Sequence, residues 1–293
     1  MKIKKSDFLS KGVRCDGDLF LPEKAQKPPA VIMAHGLAAQ KDFRLPAFAQ
    51  RFVQEKMAVF LFDYRTFGKS DGMPRQTVDP FRHVEDWQAA IAHVRSLPDI
   101  DAKKIALWGT SFSGGHVITY ASHDNDISAI VSQVPFVSSF SSLRLRSLTD
   151  IFLSTTYGIY DLIRAGFSLS PHYSPVIANP GSFAAMNTAE SYQGYMSIAA
   201  EGSNWENKMA SRAFMKISFY SPLSKAHQVK APTLVMAGRY DSLIPLDAVE
   251  KLAKKLPVGE LIVMDCSHFE PYTGEFFERF VAAQRTFLKK HLF

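Results

Sequence analysis

Short runs of β-branched and aromatic residues recur along the chain, each ending in a turn and followed by an amphipathic stretch. The runs at 30–34 (AVIMA), 58–62 (AVFLF), 105–108 (IALW) and 129–131 (AIV) are apolar throughout, and later runs at 233–237 and 261–264 continue the series. A strand that is apolar on both faces must be covered on both faces, so these runs predict central strands of a parallel sheet. Residues 12–21 read as a leading edge strand or hairpin. Helical periodicity falls between the runs, at 46–55, 80–96, 114–121, 246–256 and 274–291. In 80–96 the apolar residues Val84, Trp87, Ala90, Ile91 and Val94 recur at helical spacing. This alternation predicts an α/β fold, doubly wound, with right-handed crossovers and its reactive groups at the carboxyl ends of the strands.

From about 138 to 220 the rhythm changes. No strand-like run occurs there, and Pro171, Pro175 and Pro180 interrupt the helix-compatible stretches. The segment is too long for a loop. It carries Phe152, Tyr157, Tyr160, Phe167, Tyr173, Tyr192, Tyr195, Trp205 and Phe214, an aromatic density that needs something to bury against. The expected organisation is a core of residues 1–137 and 221–293, with 138–220 a mostly helical cap over the strand ends. The aromatics suit either an apolar acyl or aromatic-ring pocket or the ordinary core of such a cap.

Composition narrows the class. In 293 residues, 46% are hydrophobic and 21% charged, which excludes a disordered or fibrous chain. The net charge of +6 invites a nucleic-acid reading. The excess is scattered, however, and densest at Lys2, Lys4, Lys5, Lys289 and Lys290, near ends where fraying and solvation are usual; no nucleic-acid partner is expected. Two cysteines, Cys15 and Cys266, cannot define a disulfide framework or a cysteine zinc site. No apolar run approaches the roughly 18 residues of a membrane helix, and the first residues lack the apolar stretch of a signal peptide. A cytoplasmic protein without an integral membrane segment is the expectation.

The sharpest chemical signal is Ile105-Ala106-Leu107-Trp108-Gly109-Thr110-Ser111-Phe112-Ser113-Gly114-Gly115, an apolar strand running through small residues into a helix. A nucleophile elbow needs this context, because the turn lifts a hydroxyl clear of the sheet and small neighbours let the backbone bend. Ser111 is that hydroxyl, although Ser113 stands where G-x-S-x-G has its second glycine. A serine hydroxyl needs a base. Of nine histidines, His83, His93, His116, His123 and His291 read as surface or core filling, and His172 and His227 lie in or beside the insertion. His268 follows the 261–264 strand on a loop free to reach Ser111. Asp241 follows the 233–237 strand and completes the chain order Ser, Asp, His; Asp265 is a fallback, and Asp247 suits the first turn of a helix. Backbone amides of Phe112 and of Leu37, after the strand ending in His35-Gly36, are the candidate oxyanion donors. Gly68-Lys69-Ser70 is a P-loop decoy, since Asp63 occupies the position of its first glycine. With no HExxH or comparable cluster, neither metal nor cofactor is expected.

Taken together, His35-Gly36, the stretch Asp63-Tyr64-Arg65-Thr66-Phe67-Gly68-Lys69-Ser70, the elbow, Asp241 and His268 make the chain resemble the α/β-hydrolase superfamily, over nearly its whole length outside the insertion. More narrowly it is similar to bacterial serine hydrolases of the lysophospholipase-like, acetylxylan-esterase-like and X-Pro-dipeptidyl-peptidase-like kinds. Thr66 stands where that family usually has glycine. The resemblance implies hydrolysis of an ester, thioester or amide through an acyl-enzyme, with the insertion in the position of a specificity-setting lid. A carboxylic-ester hydrolase acting on a small-molecule ester or acyl substrate is the leading expectation. A peptidase of the dipeptidyl-peptidase type is the alternative, and a non-catalytic binding protein on the same scaffold a third. Homo-oligomerisation is left open.

Overall fold

The computed structural model describes residues 1–23 and 25–293. The apolar runs become strands, and all but the last, at 261–264, find neighbours on both edges. Eight strands, β1 (Lys2–Lys5), β2 (Gly17–Leu21), β3 (Ala30–Ala34), β4 (Ala58–Phe62), β5 (Ile105–Thr110), β6 (Ala129–Gln133), β7 (Thr233–Gly238) and β8 (Gly259–Met264), form one sheet in the order β1-β2-β4-β3-β5-β6-β7-β8. The pairings of β1 with β2 and of β2 with β4 are antiparallel, and the rest are parallel. Every residue of β3 to β7 is buried, whereas β8 is a half-exposed edge. Helices α1 (Leu45–Gln54) and α9 (Gly274–Leu292) cover one face; α2 (Pro80–Ser96), α3 (Phe112–Ala121) and α8 (Leu246–Lys255) cover the other. The sequence patterns dictate these helices. Asp79 caps α2 by accepting from the Phe81 amide at 3.0 Å, and α9 buries Phe277, Phe280, Val281, Gln284, Phe287 and Leu288 along one stripe.

The amino-terminal edge corrects the sequence expectation. Residues 12–21 are divided between a small ribbon, Phe8–Ser10 with Val13–Cys15, and β2, while the edge strand of the main sheet starts at Lys2. With Ile3 its one apolar residue, β1 carries no alternation to read, and its hydrogen bonds come from β2. Two of its lysines are paired, not frayed: Lys4 reaches Asp99 at 2.7 Å, and Lys5 reaches Asp16 at 2.9 Å and Asp18 at 2.8 Å. At the other end Lys289 meets Glu55 at 2.8 Å. Lysines along an exposed strand also discourage edge-to-edge pairing.

Between β6 and β7 the chain forms α4 (Ser139–Leu143), α5 (Leu148–Gly166), α6 (Ser191–Ile198) and α7 (Ala213–Ser218). A two-residue ribbon, Tyr173–Ser174 with Met209–Ala210, ties the chain after α5 to the chain before α7; two residues are too few to leave a period in the sequence. Inside it, the fully buried carboxylate of Asp161 accepts from Arg212 Nε at 2.8 Å, from Arg212 Nη2 at 3.0 Å and from the His172 amide at 2.8 Å. The aromatics divide among three places. Tyr195 and Trp205 pack on Phe43, Phe214 faces a cavity, and Phe152 and Phe167 point outward at 68% and 74% exposure.

Candidate active site

Ser111 leaves β5 with φ 54° and ψ −119°, a strained conformation for a residue with a side chain, and α3 begins at the next residue. The bend depends on missing side chains. A Cβ at Gly109 would stand 2.2 Å from the Ser113 carbonyl oxygen, and one at Gly114 would stand 2.9 Å from Pro135. Ser113 is tolerated because its hydroxyl turns away and lies 2.8 Å from the Tyr64 hydroxyl, which also accepts from Trp87 Nε1 at 2.9 Å. Beneath the elbow a buried chain links Trp108, Gln284, Gln133, Thr110 and Tyr272 across β5, β6 and α9.

The structure brings the three predicted side chains together. The Ser111 hydroxyl donates to His268 Nε2 at 3.0 Å, and His268 Nδ1 donates to Asp241 Oδ2 at 2.6 Å. The other oxygen of Asp241 accepts from the amides of Leu243 and Ile244, both at 2.8 Å, which fixes the carboxylate plane. Burial by itself pulls the His268 imidazolium down; the charge and hydrogen bond of Asp241, helped by the Glu190 carboxylate, outweigh it and leave the pKa above the ordinary histidine value. The discarded carboxylates lie elsewhere: Asp265 pairs with Arg239 at 2.6 Å, and Asp247 pairs with Arg144 at 3.0 Å.

Leu37 lies in the turn after β3. Among the described residues no backbone carbonyl accepts from its amide, and Phe112 is the first residue of α3, where helical N–H groups have no intrahelical acceptor. Gly36 allows close approach, since a Cβ there would sit 3.0 Å from Ser111 Cβ. His35 is buried, and desolvation lowers its pKa to about 4, which suits a structural residue. The stretch that includes Asp63 is also structural. Burial raises the Asp63 carboxyl to about 7; it accepts from the Lys41 amide at 2.7 Å and lies against Gly68, where a Cβ would meet Asp63 Oδ2 at 2.2 Å. Thr66 has φ 76°, the left-handed region that explains a family preference for glycine, and its hydroxyl accepts from the Thr77 amide at 3.1 Å. His83 and His116 are buried behind the elbow with ring nitrogens 3.3 Å apart, and desolvation takes His116 down to about 3.

Sequence reasoning missed three residues of the intervening segment that touch this site. Glu190 Oε2 accepts from the His268 amide at 2.9 Å while its Oε1 accepts from the Ser242 amide at 2.9 Å, so one carboxylate ties the Asp241 loop to the His268 loop. The Tyr195 hydroxyl donates to the Leu37 carbonyl at 2.9 Å, and Trp205 Nε1 donates to the Ala38 carbonyl at 2.8 Å. Nothing in the local pattern marks Glu190, because its partners lie 52 and 78 residues away. Tyr195 and Trp205 were visible only as part of an aromatic excess.

Ser111 and His268 open into a cavity of about 220 Å³ under α4, α5 and α7. Its wall is mainly apolar, with Phe112, Phe136, Ile151, Met186, Phe214 and Leu243 among its residues, and among the described residues no carboxylate lines it. A second space of about 20 Å³, room for a single water, adjoins Ser111 and His268 on the side of Phe43, Tyr195 and Phe269.

The family model for X-Pro dipeptidyl-peptidase (S15 family) matches residues 11–270. The quorum-quenching protein AidA of Acinetobacter baumannii is 40% identical over 284 residues, covering 97% of this chain and 93% of AidA. The thiohydrolase aneE of Aspergillus aculeatus is 29% identical over 299 residues, covering 97% and 92%. Among solved structures, the α/β hydrolase GrgF from a Penicillium species superimposes with a TM-score of 0.85 at 24% identity, covering 100% of this chain and 99% of GrgF.

Proposed function

The chain belongs to the X-Pro dipeptidyl-peptidase (S15) family and has the α/β-hydrolase fold, and from that footing we propose that it is a serine hydrolase cleaving a carboxylic ester or thioester through an acyl-enzyme. The observation that carries the reading is the unbroken relay from Asp241 through His268 to Ser111, at 2.6 and 3.0 Å, at the mouth of an apolar cavity. Ser111 attacks the substrate carbonyl as its proton passes to His268 Nε2, and Asp241 stabilises the imidazolium. The amides of Leu37 and Phe112 receive the oxyanion. Collapse of the tetrahedral intermediate expels the alcohol or thiol, which takes the proton from His268. Water then attacks the acyl-enzyme with His268 as base, releasing the acid and restoring Ser111. Residues 138–220 act as the cap whose inner face holds the acyl group.

An ester or thioester is favoured over a peptide by the cavity wall. A dipeptidyl-peptidase needs a negative anchor for the ammonium group of its substrate, whereas among the described residues the one Lys, Arg, Asp or Glu in this wall is Arg146. The relatives aneE and AidA, a thiohydrolase and a quorum-quenching protein, fit hydrolysis of small acyl compounds. The test is turnover of nitrophenyl esters and acyl thioesters of short and medium chain length beside an aminoacyl-prolyl amide, together with fluorophosphonate labelling. Labelling should fall on Ser111, and Ser111→Ala should lower kcat by about 10⁴-fold or more. Activity that survives Ser111→Ala unchanged would sink the proposal; faster turnover of the prolyl amide would replace the ester reading with the peptidase one.

A further inference from the structure

The outer face of α5 is apolar and uncovered. Leu148, Phe152, Ile159 and Ile163 are 85%, 68%, 46% and 54% exposed, and Tyr160 and Phe167 flank them. At helical pitch these four fall on one stripe, with Thr155 and Thr156 at its middle. Fully exposed side chains of this size offer about 150–250 Å² each, so the six, at their fractional exposures, present on the order of 550–950 Å². That lies at or above the top of the roughly 300–600 Å² of the largest patch on a typical monomer and spans the roughly 800 Å² each partner gives to a standard interface.

The stripe also reads the same in both directions. Its positions, 148, 152, 159 and 163, are separated by four, seven and four residues, with the midpoint between Thr155 and Thr156. A two-fold axis through that midpoint would set Leu148 against the partner's Ile163 and Phe152 against the partner's Ile159. This is the self-complementarity that an isologous contact requires. The charges of α5 do not favour a lipid surface instead. Asp161 is buried against Arg212, Asp150 takes the Asn187 side-chain amide, and Arg164 donates to the Ser170 carbonyl while lying over the Tyr160 ring. An interfacial helix instead carries Lys and Arg along a polar face.

We propose that this face is the interface of a homodimer, with α5 packed antiparallel on the same helix of a second copy. Through Ile151, Ser154 and Thr155 the same helix walls the cavity, so the partner, seated over the stripe with Thr155 at its middle, would hold that wall in place from outside. The inference rests on the shape and polarity of the surface and holds whatever the reaction is.

The test is sedimentation equilibrium of the full chain at tens of micromolar, with Phe152→Glu and Ile159→Arg as variants at exposed positions and their melting temperatures as the control for folding. The wild type should have twice the 32.7 kDa chain mass, and each variant alone should be a monomer. An equimolar mixture of the two should return to the dimer, since the carboxylate introduced at position 152 of one copy then meets the guanidinium introduced at position 159 of the other, while the unsubstituted Phe152 and Ile159 meet across the axis. A monomeric wild type, folded variants that stay dimeric, or a mixture that stays monomeric would overturn the proposal. So would a wild-type monomer that co-sediments with phosphatidylglycerol vesicles, which would make the stripe a membrane contact.

Discussion

Replacing Glu190 with glutamine removes one charge and one acceptor from the point where the Asp241 and His268 loops meet. The carboxylate accepts from the His268 amide through one oxygen and from the Ser242 amide through the other, each at 2.9 Å. A carboxamide can satisfy one of these amides and must turn its own N–H toward the other. A hydrogen bond to a charged group is worth about 1.5–3 kcal/mol. If that loss is felt in placing the imidazole, kcat/KM should fall roughly 10- to 100-fold, at about 1.4 kcal/mol per decade. A second readout separates placement from general weakening. Because the Glu190 charge helps to raise the His268 pKa, Glu190→Gln should move the acidic limb of the kcat/KM profile to lower pH. Glu190→Asp keeps the charge but shortens the reach, so it should lower kcat with little movement of that limb. The assay is a full pH profile with a nitrophenyl ester for the wild type and both variants. Wild-type rates in Glu190→Gln with an unmoved limb would refute the assignment of Glu190 as a positioning residue.

Further expectations follow from the same geometry. In the proposed mechanism His268 must be neutral to accept the Ser111 proton, and its pKa is raised, so activity should be lost as pH falls through a value above the ordinary histidine pKa of about 6.5; a limb below that value would contradict the Asp241 pairing. Gly36→Ala would place a Cβ 3.0 Å from Ser111 Cβ and 3.4 Å from its hydroxyl, and should cut kcat on the order of 100-fold without unfolding the protein, as rate and circular dichroism together would report. Arg212→Ala would strip the buried Asp161 carboxylate of its cation and should cost about 3–5 kcal/mol, read as a lowered denaturation midpoint.

Much of this molecule is legible one strand at a time. The five strands buried on every residue, β3 to β7, contain the apolar runs of the sequence, and Ser111 and Asp241 come just after two of them, while His268 comes just after the apolar run of the half-exposed β8, so pattern and chemistry coincide. The elements that escaped reading lack that coincidence. Strand β1 has a single apolar residue and draws its lysines' partners from Asp16, Asp18 and Asp99. Phe152 and Phe167 carry the composition of a core but face outward, because α5 turns its small or ionic members, Gly158 and Asp161, toward α7 and the body of the protein. Glu190 is an ordinary surface-type residue in one dimension and acquires its contacts only when β7 and β8 bring two loops beside it.

The stretch between β6 and β7 touches the reaction centre at three points: Tyr195 and Trp205 hold the carbonyls of Leu37 and Ala38, and Glu190 holds the amides of Ser242 and His268. Covering and assembly are therefore one event. Were this stretch to lift, the Leu37 turn would lose its rear supports in the same motion that released the His268 loop. On the proposed reading an uncovered serine would then be a disarmed one, and the protein would carry an interlock against spending its chemistry on whatever ester drifts past in bulk water.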